Sequence, residues 1–137
     1  VTTIDKMSFS EHILSLPYKI QEIINYIHKE TQKDSSAGFR KKASPYALAR
    51  YCFSMLKVVE ELYSIEKSGA KNLWVLGPNR VKLGLSWFTI ETPELVAELV
   101  KKVGFKKVSI EPVQAYSRYG LHSKNAISKE SILIFHR

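Results

Sequence analysis

Three short apolar runs limit what this chain can fold into. Leu73, Trp74, Val75 and Leu76 form one continuous run, cut off by Gly77 and Pro78. Val108 and Ile110 alternate with polar residues in a second, and Ile132, Leu133, Ile134 and Phe135 make a third. Such runs, bounded by turn residues, read as strands. The first is apolar at successive positions, the pattern of a strand buried on both faces within a parallel sheet, and the last reads as a final buried strand. We place strands over 72–77, 106–113 and 130–136. Helical periodicity fills much of the remainder, so the expected class is α/β. A doubly wound sheet has about twice as many strands. Either the domain is half of one, or its sheet is completed by another chain.

Residues 1–12 read as a polar, irregular lead-in. Leu16, Ile20, Ile23, Ile24 and Ile27 then mark one face of a helix reaching about Lys33, with Pro17 near its start. A polar connector over 33–44 carries Arg40, Lys41 and Lys42 in succession. It is either a solvated loop or a loop that grips phosphate. Ser44 and Pro45 read as cap and first turn of a second helix, whose wide apolar face runs from Leu48 to Tyr63. Cys52 lies on that face as a small core residue. A loop with Arg80, Lys82 and Gly84 precedes a short extended piece over 87–90. Thr92, Pro93 and Glu94 open a further helix, and Lys101, Lys102 and Gly104 close it. Residues 114–129 read as a long loop containing Tyr116, Arg118, Tyr119, His122 and Lys124. That loop is either a surface excursion packed on the body or a ligand-facing element, with rings to stack on bases and cations to hold phosphates. The division expected is 1–44, an N-terminal helix with its basic connector, and 45–137, an α/β segment. With the helix at 45, this gives two N-terminal helices before the sheet.

Charge supplies the first functional constraint. The 137 residues include 21 Lys and Arg against 13 Asp and Glu, a net charge of +8. That excess draws a protein to polyanions, although it also serves solubility. With 45% hydrophobic residues the chain can build a core. A single cysteine excludes an internal disulfide, and no apolar run approaches the ~20 residues of a membrane span. A cytoplasmic protein with no membrane partner is the expectation.

Much catalytic chemistry has no sequence support. Neither the Gly-x-Gly-x-x-Gly nor the Gly-x-x-x-x-Gly-Lys phosphate loop occurs. His12, His28, His122 and His136 have no metal-like spacing, and His28 reads as a packed or half-exposed helix residue. Glu60 and Glu61 are adjacent on a helix and point apart. No catalytic residue and no metal site is assigned.

From Pro45 onward, the order of features resembles the C-terminal half of the S-adenosylmethionine-dependent DNA amino-methyltransferases. The carrying residues are Phe53, Ser54 and Met55 through Glu60, Glu61, Leu62 and Tyr63; the strand ending Trp74, Val75, Leu76, Gly77, Pro78, Asn79; Gly84 before Thr89, Ile90, Glu91 and Thr92; the helix end at Gly104 and Phe105; and the last strand from Glu130 to Arg137. Each is weak alone; their order and spacing, over about two-thirds of the chain, are moderately specific.

The resemblance implies a partial Rossmann-like methyltransferase sheet of about three main strands with flanking helices, the last strand inserted antiparallel between the other two. It implies a segment of a split or truncated enzyme. The family's glycine-rich cofactor loop, Phe-x-Gly-x-Gly, is missing, as is its Pro-Pro-Tyr catalytic motif. Ser15 to Tyr18 and Ser44 to Tyr46 come near the latter but read as helix starts. Alone, the chain is thus expected to bind no cofactor, and to use S-adenosylmethionine only when a partner completes it. Expected partners are DNA and either a subunit carrying the N-terminal half or a second copy joined through an open sheet edge. Expected nucleic-acid contacts are Arg40, Lys41, Lys42, Arg80, Lys82, Arg118, Tyr119 and Lys124. Gly77 and Asn79 would shape the turn after the first strand. The alternative is a non-enzymatic basic nucleic-acid-binding module.

Overall fold

A computed structural model describes residues 3–113 and 130–137. Three helices come first: α1 (Thr3–Leu14), α2 (Tyr18–Lys33) and α3 (Phe39–Ile65). Strand β1 (Lys71–Leu76) leads into a hairpin of β2 (Asn79–Leu83) and β3 (Ser86–Ile90). Helix α4 (Thr92–Val103), β4 (Lys106–Val113) and β5 (Glu130–His136) complete the mixed α/β fold. The main sheet has the order β1-β5-β4, with β5 antiparallel to both neighbours. The hairpin forms a separate two-stranded sheet.

Helices α3 and α4 cover one face of the main sheet. Val59 of α3 and Val96, Ala97 and Val100 of α4 pack on Leu133 and Phe135 of β5, with Trp74, Leu76 and Val108 from the flanking strands. Phe105 and Phe135 meet edge to face at 4.8 Å, and Trp74 meets Phe135 likewise at 5.1 Å. These geometries suit the ring quadrupoles. A second core lies among the helices. There Ile13, Leu16, Ile20 and Ile24 pack against Ala49, Cys52 and Leu56 of α3 and Leu95 and Leu99 of α4. Met55 and Val103 touch both cores and join them.

The N-terminal region departs from the sequence expectations in three places. The lead-in is helical, because Phe9 and Ile13, spaced by four, dock on the helical core. Such packing stabilises a short helix whose own propensity is marginal. The part of the connector carrying Arg40, Lys41 and Lys42 is not a loop but the start of α3; with the helical lead-in, three helices precede the sheet instead of two. The boundary drawn at residues 44 and 45 falls inside that helix. Pro45 does not start the helix; it sits in its interior. Proline has no N–H for the carbonyl four residues back. Ser44 Oγ donates instead to the Lys41 carbonyl at 2.7 Å, which keeps that acceptor satisfied.

The first strand also differs from expectation. β1 is not buried on both faces but alternates exposed and half-buried, and its pairing is antiparallel. Asn72, Trp74 and Leu76 face the helices. Leu73 (56% exposed) and Val75 (63%) face away, in register with Ile134 and Ile132 of β5. Residues 78–86, expected as a loop, are largely the β2–β3 hairpin.

Helix α4 ends at Gly104, whose φ of +119° lies in the left-handed region. The Gly104 N–H donates to Val100 and Lys101, and the Phe105 N–H reaches back to Val100, closing the last turn. A Cβ on Gly104 would come within 3.3 Å of the Tyr63 hydroxyl. Gly104→Ala is expected to lower stability by about 1–2 kcal/mol, seen as a lower urea midpoint at unchanged slope. Cys52 is fully buried, and burial pushes its thiol up to about 12. It should resist iodoacetamide at pH 8 in the native protein and react once urea unfolds it. Rapid native alkylation would contradict this packing.

Candidate nucleic-acid interface

The hairpin gathers the clearest functional constellation. Val81 and Phe88 are cross-strand partners, as are Lys82 and Trp87, and Arg80 and Thr89. Pairs alternate between faces. Val81 and Phe88 therefore point one way, while Arg80, Lys82, Trp87 and Thr89 point the other. The first face is anchored: Phe88 packs on Tyr26 of α2 at 5.3 Å, and Ile90 reaches the helical core. The second face is open. The Arg80 guanidinium lies 5.0 Å from the Trp87 ring centre and the Lys82 ammonium 6.0 Å from it. Both distances fit cation–π attraction. Gly84, at φ +61°, opens the two-residue turn, and Leu85 stands at the tip, 97% exposed.

Arg80 and Lys82 are thus brought together, with a tryptophan between them that the residue-by-residue reading left unassigned. Its signal was present. Arg80 to Leu83 alternate polar and apolar, and Gly84 follows at hairpin position. Taking that stretch as a loop hid the register that sets Lys82 opposite Trp87.

The run Arg40–Lys42 is dispersed. Successive helical positions point about 100° apart. Lys41 bridges to Asp34 at 3.0 Å across the α2–α3 turn. The Ser36 hydroxyl and then Lys41 hold the Asp34 carboxyl below the usual carboxylate range. Lys41 is therefore engaged in closing the turn. Lys42 lines a cleft of about 440 Å³ with Lys6, His28, Gln32, Phe39 and Tyr46. Arg40 is exposed. His28 is a packing residue, its ring 5.4 Å from Phe9 and its Nε2 3.3 Å from the Tyr46 hydroxyl. Arg118, Tyr119 and Lys124 lie outside the described residues.

Two clefts among the described residues have contrasting linings. The cleft beside His28 presents lysines and no carboxylate. The other, against α3, is lined by Lys57, Val58, Glu61, Leu62, Ile65 and Trp74 and is almost wholly apolar. Among the described residues no group of three or more His, Cys, Asp or Glu could hold a metal ion. No helix among them is long and apolar enough to cross a membrane.

Compared with known proteins, the chain matches no family model, no curated protein and no solved structure.

If the hairpin contacts phosphates, duplex affinity should fall steeply with salt, and the combined substitution of Arg80→Gln and Lys82→Gln should reduce the slope of log K against log salt by about 2. Lys41→Gln, which removes a paired cation, should leave that slope unchanged.

Proposed function

We propose that the chain is the C-terminal segment of a split or truncated DNA amino-methyltransferase. It contributes part of a larger sheet and a DNA-facing hairpin, and it is inactive alone. One observation carries this reading: the two edges of the main sheet are built differently. β4 bears Lys106, Lys107, Glu111 and Pro112, with a register shift between Lys106 and Ser109 and a left-handed Lys107 at φ +49°. Charges, a proline and a bulge are what natural edge strands use to refuse further pairing. β1 has only Lys71 at its start. Its outer side carries Leu73 and Val75 on one face and, on the other, the apolar cleft of Val58, Leu62, Ile65 and Trp74. Ile65 is 76% exposed.

Magnitudes favour an occupant that extends the sheet over one that merely lies on it. Three strands about 4.8 Å apart and six residues long present a face of roughly 300 Å². Stable interfaces need about 800 Å² per partner. A body that pairs with β1, covers Leu73 and Val75 and fills the cleft buries more surface than that face alone. The order β1-β5-β4, with the last strand antiparallel in the middle, is the arrangement the methyltransferase resemblance implies, and it supports the same reading. S-adenosylmethionine would be held by the completing body, since the family's glycine-rich cofactor loop is missing from this sequence.

A second reading, a non-enzymatic nucleic-acid-binding module, is favoured by the hairpin, which needs no completion to present Arg80 and Lys82.

The decisive experiment co-expresses the chain with the product of the adjacent upstream gene and follows transfer of labelled methyl groups to DNA. The pair should methylate, each chain alone should not, and Leu73→Lys with Val75→Lys should abolish the activity. An inactive pair, with salt-dependent DNA binding by this chain alone, would favour the second reading.

A further inference from the structure

We infer that the hairpin engages unpaired nucleic acid, with Trp87 as the surface on which a base stacks and Arg80 and Lys82 as holders of the adjoining phosphates; this rests on the nucleic-acid reading of the hairpin and names its substrate class. An exposed indole fits a base because every base offers a π-face. Trp87 is 59% exposed although Phe88, its neighbour, packs on the body. Arg80 and Lys82 both approach the ring, so its orientation is set before any ligand arrives. A ring held in advance loses less entropy on binding. Arg80 and Lys82 are two residues apart on one strand, so their backbones are about 6.6 Å apart, suited to successive phosphates of an extended strand. In a duplex, bases are stacked on each other and a lone ring finds no free face.

An anionic membrane is the rival for a surface that combines Leu85, Trp87 and two cations. The arrangement favours the nucleic acid. The cations lie over the ring on the same face of the hairpin, and the apolar tip is the single residue Leu85. That leaves little apolar area to insert in lipid.

The test measures fluorescence anisotropy with a labelled twelve-nucleotide oligothymidylate and a blunt duplex of equal length, alongside sedimentation with phosphatidylserine vesicles. Trp87→Ala should weaken oligothymidylate binding about 5- to 150-fold, change duplex binding less than about 2-fold, and leave thermal unfolding in place; Trp87→Phe should restore most of the loss. Equal losses on both nucleic acids, or none on either, would overturn the stacking role. So would Trp87-dependent vesicle binding without oligonucleotide binding. If charge loss at Arg80 and Lys82 weakens both nucleic acids while Trp87→Ala is silent, stacking alone falls. If the native chain binds neither, the nucleic-acid reading falls with it.

Discussion

Strand β5 carries the inter-strand pairing of the main sheet, because β1 and β4 each hydrogen-bond to it and not to each other. Its Leu133 and Phe135 are fully buried beneath α3 and α4. The pairing continues past the strand: Arg137 exchanges backbone hydrogen bonds with Gly69 and Ala70. The Arg137 side chain then donates to the Tyr63 carbonyl and lies 3.5 Å from the Tyr63 ring centre. Segments far apart in sequence are thereby tied to one helix end. Closing such a long loop costs entropy, and the aromatic cluster of Trp74, Phe105 and Phe135 is what offsets it.

From β5 outward the two sides of the sheet diverge. On one side β4 closes the sheet with charge, proline and a bulge. On the other, β1 ends it with apolar side chains in solvent on one face and an apolar cleft on the other. The hairpin follows β1 directly. It lies against α2 through the contact of Phe88 with Tyr26, so its cationic face is held by the helical layer and does not depend on the open edge. The proposed sheet completion and the proposed ligand contact thus rest on different parts of the chain, and each can fail without the other.

The strands over 106–113 and 130–136 and the helix over 92–103 were legible, because their periodicity and end signals are local. Helix α1 was not, since its pair Phe9 and Ile13 gains meaning only against the helical core. The start of α3 was misplaced because Pro45 reads as a helix beginning, and the bond from Ser44 to the Lys41 carbonyl is a local detail that residue type alone does not reveal. At β1 the apolar run was legible but not its burial: a sequence shows that Leu73 and Val75 are apolar, not that they face away from the helices. Of the candidate contacts, Arg80 and Lys82 were legible as cations. Trp87 became their partner only through the hairpin register, and Lys41 was lost to Asp34 through a turn that the loop reading did not contain.

The central claim is that the edge of β1 is an interface awaiting completion, and sedimentation velocity over micromolar to millimolar concentrations tests it most directly. Without its completing body the chain should self-associate as concentration rises, and a charge placed at Leu73 or Val75 should return it to monomer. A chain that stays monomeric across the whole range, with or without those charges, would contradict the account.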